Sequence, residues 1–225
     1  MRHTRTGAGR IGSAQFLADT FEHFEPQLPA GFEASDYVFL ANIDPVLQGQ
    51  VLDQIRSPKL VALDTMNFWI EDIIPGKRAA LEAVIARVDL LFVNDREAQL
   101  LSGEDNVVRA AQAIQARGPK TVVIKRGEFG ALVFGQDGIF TVPAMPLERV
   151  VDPTGAGDSF AGGFMGFLAA STRDDADAVR RAAVAGSVTA SFAVEDFSLD
   201  RMNTLDKGQI SERYGAFRDL VRIPE

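Results

Sequence analysis

A chain of 225 residues with 46% hydrophobic and 24% charged side chains has the material for a packed core, which excludes global disorder. The net charge of −8 disfavours nucleic-acid binding through a basic face, and the absence of cysteine excludes disulfides, thiolate metal sites and a cysteine nucleophile. Of the two histidines, His3 and His23, neither lies near a Gly-x-Ser-x-Gly elbow, which speaks against a Ser-His-Asp hydrolase.

Residues 1–15 carry Gly7, Gly9 and Gly12 in a short stretch and read as irregular. From residue 36 a regular alternation begins. Tyr37 to Ala41 is an apolar run expected to form a buried strand, and Val46 to Ile55 has helix spacing. Further strands are expected at 60–63, 90–93 and 121–125, with helices at 79–88, 97–101 and 107–116 between them. Two short strands, 131–134 and 139–142, flank Gly135-Gln136-Asp137-Gly138 and predict a hairpin. The final third reads as helices over roughly 157–170, 175–192 and 208–221.

Continuously apolar strands separated by helices imply an α/β fold with a mostly parallel sheet covered on both faces. Ligands gather at the carboxyl ends of such strands, where Asn42, Asp64, Asn94 and Gly127 fall. No linker is visible, so residues 16–225 read as one domain after an irregular 1–15 segment. No apolar run reaches the length of a membrane span, and the reading is a soluble, cytoplasmic protein.

The chemistry concentrates in Asp152-Pro153-Thr154-Gly155-Ala156-Gly157-Asp158, just before an apolar helix. A small-residue turn at a helix N-terminus leaves backbone N–H groups unpaired, and the helix dipole adds partial positive charge there. Gly155, Ala156 and Gly157 let an anion approach the backbone closely. Asp158 would repel a bound phosphate. That cost makes sense if it removes a proton from an alcohol attacking the phosphate. The plainer reading is a capping Asp after a tight turn. The string is neither a Walker A loop nor a dinucleotide fingerprint. Gly7-Ala8-Gly9-Arg10-Ile11-Gly12 has the glycine spacing of a Rossmann enzyme, but no apolar strand precedes it.

The 152–158 string with the tail Ser159 to Met165 resembles the C-terminal signature of the ribokinase-like, or PfkB-type, carbohydrate kinase family. The resemblance implies a three-layer α/β/α sandwich and an ATP-dependent phosphotransferase acting on a hydroxymethyl group of a sugar, sugar-like or nucleoside acceptor. It implies Asp158 as general base and the Gly155, Ala156 and Gly157 amides as the anion hole. Asn94-Asp95-Arg96-Glu97 resembles the family's Asn-x-x-Glu motif, with Asn94 and Glu97 organising Mg²⁺ through water. The competing reading there is a strand-to-helix turn with a capping Asn.

Lys125 to Gly130 resembles the family's nucleotide-contacting strand end, with Lys125, Gly127, Glu128 and Gly130 at the nucleotide beside Thr154 and Gly157. The 185–195 segment resembles the part that lines adenine, implicating Ala190, Ser191 and Val194, although close packing also explains its small residues. Asp152 and Thr154 match the oxygen donors to a monovalent cation such as K⁺, and Asp152 alternatively only braces the turn. Asn42 and Asn67 are candidate acceptor contacts alongside Asp158.

The resemblance covers about residues 20–222. Family members are usually longer and begin with strands that carry a Gly-Gly motif, most sugar contacts and a β lid. None of these is recognisable here, so the chain reads as truncated or divergent at its N-terminus. Members often dimerise through the lid, which makes a homodimer one assembly the resemblance implies. A second reading is a non-catalytic, nucleotide-binding remnant. Neither nucleic acid nor membrane is an expected partner.

Overall fold

The computed structural model describes residues 24–173 and 175–222. The irregular 1–15 segment, His3 and His23 lie outside the described residues. The chain divides into two units, one running to Lys120 and the other starting at Thr121.

In the first unit, three apolar runs make the strands β1 (Tyr37–Leu40), β2 (Leu60–Asp64) and β3 (Leu90–Asn94). They pair in parallel, with Val38 opposite Val61 and Leu63 opposite Leu91. Helices connect them: α1 (Pro45–Leu52), then α2 (Asn67–Ile70) and α3 (Lys77–Ile85). After β3 come α4 (Asp95–Ser102) and α5 (Val107–Gln115). Leu63, Leu81, Ile85, Leu91, Phe92 and Ile114 are fully buried, and Phe39 meets the Phe92 ring edge-on at 5.9 Å. A side chain of this size contributes about 1.5–3 kcal/mol on full burial, so these runs hold the unit together. Asp44 starts α1 by accepting from the Val46 N–H at 2.9 Å, with Pro45 at the first helical position. Its other carboxylate oxygen lies 2.6 Å from Lys77 Nζ.

In the second unit, β4 (Thr121–Lys125), β5 (Ala131–Gly135) and β6 (Gly138–Val142) pair antiparallel. Gly135 pairs with Gly138, so Gln136 and Asp137 form the two-residue hairpin loop that the glycines predict. Gly130 has φ +81°, and a Cβ there would lie 2.6 Å from the Pro143 carbonyl carbon and 2.7 Å from the Ala144 nitrogen. Only glycine fits that crossing of backbones. The helices follow: α6 (Ala156–Ala170), α7 (Ala176–Ala193), α8 (Asp200–Asn203) and α9 (Lys207–Leu220).

Helices α6 and α7 pack closely because each offers a glycine to the other. A Cβ on Gly186 would meet the Phe160 carbonyl at 2.7 Å, and one on Gly163 would meet Thr189 Cβ at 2.7 Å. Gly186 of the 185–190 segment thus serves helix–helix packing. No helix of the described residues is long and apolar enough to cross a membrane.

Candidate active site

Two polar junctions follow strand ends, one in each unit. In the second unit, β4 ends at Lys125, and the turn before α6 is set by its own side chains. The Asp152 carboxylate accepts from the Thr154 N–H at 2.9 Å. Hydrogen bonds from the Thr154 backbone and hydroxyl, with a lesser one from the Ser198 backbone, hold its pKa below the ordinary carboxylate value, against the opposing effect of burial. Asp152 therefore braces the turn. The Ala156 N–H donates to the Pro153 carbonyl at 3.2 Å, and the Ser159 N–H to the Gly155 carbonyl at 2.8 Å.

Gly155 starts α6 with φ 79° and ψ 1°, and no side chain caps the helix. Helices α1, α4, α5, α7 and α9 all begin with an Asp or Asn whose side chain accepts from the first turn. At α6 the N–H groups of Gly155, Gly157 and Asp158 have no acceptor among the described residues. Ala156 differs from its expected part in the anion hole, because its N–H is already engaged by Pro153.

Lys125 comes to the same turn. Its Nζ lies 3.2 Å from where a Cβ on Gly157 would stand, and its Cε lies at 3.7 Å. The Asp158 side chain is exposed at the third helical position and makes no hydrogen bond or ion pair among the described residues. An ammonium, uncommitted amides and a carboxylate thus share one helix turn. Such an array attracts a phosphoryl group and offers a proton acceptor beside it.

The remaining residues of the second unit divide. Gly127 has φ 57° with open space around it, and Glu128 is exposed. Gly130 answers to the backbone crossing described above. Ser191 is buried, donates to the Val188 carbonyl at 2.6 Å and accepts from Arg213 Nη1 at 3.1 Å. Its hydroxyl is committed to internal bonds. Ala190 and Val194 are half-buried, and the Val194 carbonyl accepts from the Val151 N–H at 2.8 Å. That bond ties the end of α7 to the residue before Asp152. Sequence reasoning missed Arg213. Its guanidinium sits 3.5 Å from the Phe192 ring centroid and donates to Glu195 at 2.6 Å, while Arg201 bonds the other Glu195 oxygen at 3.1 Å. No local spacing in the sequence links positions 192, 195, 201 and 213.

In the first unit, Asn94 and Glu97 form a complete capping box. Asn94 Oδ1 accepts from the Glu97 N–H at 2.8 Å, and Glu97 Oε2 accepts from the Asn94 N–H at 2.9 Å. Glu97 is 5% exposed. The capping reading of the motif is therefore present in the molecule. No group of three or more acidic or histidine side chains able to hold a metal occurs among the described residues. Asn42 is exposed and accepts from the Trp69 indole N–H at 3.2 Å. Asn67 is half-buried at the start of α2.

The family model for pfkB family carbohydrate kinases matches residues 12–195. The chain belongs to the PfkB family. Among curated relatives, the cytidine kinase of Thermococcus kodakarensis is 38% identical over 144 residues, covering 63% of this chain and 50% of the relative. A nucleoside kinase of Methanothermobacter thermautotrophicus is 30% identical over 208 residues, covering 91% of this chain and 60% of the relative. The chain thus spans about half to three-fifths of the length of these relatives.

Among solved structures, aminoimidazole riboside kinase from Salmonella enterica, complexed with aminoimidazole riboside and an ATP analogue, matches with a TM-score of 0.67. The identity is 21%, over 80% of this chain and 62% of that one. The fold is the ribokinase-like α/β sandwich of the family.

Proposed function

We propose that this chain carries the phosphoryl-transfer apparatus of an ATP-dependent PfkB-type kinase that phosphorylates the hydroxymethyl group of a nucleoside or sugar. The observation that carries the reading is the first turn of α6, which bears the Gly155 and Gly157 amides and Asp158 without a capping side chain and has Lys125 Nζ against Gly157.

In this reading Asp158 accepts the proton of the acceptor hydroxyl. The hydroxyl oxygen then bonds to the γ-phosphorus, the bond to the bridging oxygen of ATP breaks, and ADP leaves. The Gly155 and Gly157 N–H groups and Lys125 bind the charge that builds on the transferring group, with the Asp158 N–H as a further donor. Asn94 and Glu97 would hold Mg²⁺ through water, and Mg²⁺ supplies neutralising charge to the nucleotide phosphates. Thr154, Gly127, Glu128, Ala190 and Val194 border the nucleotide in the same reading. Asn42 and Asn67 face the acceptor, Asp152 with Thr154 offers oxygens to K⁺, and residues 16–225 form the kinase domain of a cytoplasmic enzyme. The relatives, a cytidine kinase and a nucleoside kinase, favour a nucleoside acceptor.

The test is calorimetry with ATP–Mg²⁺ followed by an ADP-release screen over pyrimidine and purine nucleosides, fructose and ribose. Saturable nucleotide binding with acceptor-dependent ADP release supports the kinase. Binding without ADP release from any acceptor supports a nucleotide-binding protein without turnover, and absence of binding contradicts both.

A further inference from the structure

A second basic surface lies in the same unit and takes no part in the proposed reaction. It is an open groove of about 490 Å³ lined by Phe140 of β6, Arg180, Arg181 and Val184 of α7, and Tyr214 and Arg218 of α9. The volume falls within the usual range for small-molecule sites. Helical spacing assembles it: Arg180 and Val184 are four residues apart on α7, and Tyr214 and Arg218 four apart on α9, so each pair shares a face. The Tyr214 ring stacks on Phe167 at 6.5 Å with 4° between the planes. Phe167 follows Asp158 by nine residues on α6, about 13 Å along the helix, so the groove is separate from the anion cradle.

The charges in the groove are unbalanced. Arg180 lies 3.3 Å and Arg181 4.0 Å from the carboxylate of Asp177, which both share. Arg218 makes no ion pair among the described residues. Among the described residues, the three guanidinium groups that line the groove have one ion-pairing carboxylate between them, in a chain whose net charge is −8. Burial pushes the Tyr214 phenol upward, and the charges of Arg181 and Arg218, which line the groove with it, act in the opposite direction. Guanidinium groups bind phosphate bidentately, and flat apolar walls stack a ring.

We propose that this groove is a second ligand site for a phosphate-bearing ring compound of the nucleotide class, with the ring against Phe140 and Tyr214 and the phosphate on Arg181 and Arg218. The site does not depend on the kinase reading, because none of its residues belongs to the α6 cradle.

The experiment titrates AMP, adenosine and inorganic phosphate into three full-length proteins by calorimetry: wild type, R181E/R218E and K125A. Equal melting temperatures establish that the exposed arginine changes leave the fold intact, and the milder R181Q/R218Q replaces the double reversal if they do not. The expected result is an AMP-binding event that is at least ten-fold weaker in the arginine variant and persists in K125A, whatever K125A does to binding at the cradle, with adenosine and phosphate each binding at the groove more weakly than AMP. AMP binding that survives R181E/R218E but fails in K125A assigns the nucleotide to the cradle and overturns the groove. No AMP binding to wild type also overturns it. Phosphate binding as tightly as AMP overturns the role of the ring walls.

Discussion

Lys125 Nζ lies 3.2 Å from the point a Gly157 Cβ would occupy, so the glycine is what lets the ammonium sit against the first turn of α6. Gly157→Ala gains helix propensity worth up to about 1 kcal/mol, and the lysine tip can yield a few tenths of an ångström. The expected outcome is a melting temperature equal to or above wild type together with phosphoryl transfer reduced at least ten-fold. Thermal melting and steady-state ADP release measured on the same preparation check whether stability and turnover move in opposite directions.

The two glycines that flank the 127–129 turn are expected to behave differently. Gly130→Ala combines φ +81° with a Cβ driven into the Pro143–Ala144 backbone, and destabilises by about 2 kcal/mol or more. Gly127→Ala carries the left-handed cost of about 1 kcal/mol and meets open space. Denaturant unfolding midpoints of the two variants separate a packing glycine from a merely left-handed one. Equal midpoints would remove the crossing as the reason for Gly130.

Arg213 joins Phe192, Ser191 and Glu195, and through the end of α7 the Val194–Val151 bond reaches the turn that opens the cradle. Arg213→Ala is expected to cost about 1–3 kcal/mol, since it deletes charge-assisted hydrogen bonds at a half-buried site. Glu195 keeps Arg201, which limits the loss. Arg213→Lys, with one point charge and no fork, should recover only part of it. Chemical denaturation of the pair measures both.

Acid should loosen the signature turn through Asp152. Its folded-state pKa is held below the ordinary value of 3.8, so the stabilisation it gives is fully present above that value. It is lost as pH falls from 3.8 through the lower folded value. The difference in melting temperature between wild type and Asp152→Ala is therefore expected to be constant at neutral pH and to shrink below pH 3.8. A difference that persists unchanged into stronger acid would mean that the carboxylate charge does not support the turn.

Much of this architecture is legible in the sequence because burial dictates it. Continuous apolar runs give β2 and β3 within a residue, Gly135 and Gly138 give the hairpin, and the apolar run after Gly155 gives α6. The expected helix over 46–55 stops at Leu52, because the chain turns before Pro58 with Ser57 at φ 49°. Helices α2 and α8 are four residues long and lack side-chain caps, so they leave no periodic signal. At the site, local spacing shows the cradle glycines and the Asn94–Glu97 pair. It does not show that Pro153 occupies the Ala156 amide, that Gly130 and Gly186 answer to backbone contacts, or that Arg213 braces α7. Each of these depends on pairings between elements, which no local pattern encodes.

The central claim is that Asp158 accepts a proton during phosphoryl transfer. Its carboxylate is exposed and makes no pairing among the described residues, so Asp158→Asn should leave the fold intact at a cost within about 1 kcal/mol from the helix dipole. ATP should bind as tightly as before or more tightly, because a charge that repels phosphate is gone. With an acceptor identified, the decisive measurement is single-turnover ADP formation by wild type and Asp158→Asn at saturating ATP–Mg²⁺. The expected result is a rate about 10²–10⁴-fold lower in the variant with nucleotide affinity retained. Equal rates in the two proteins would contradict the role given to Asp158 and, with it, this account of the α6 turn.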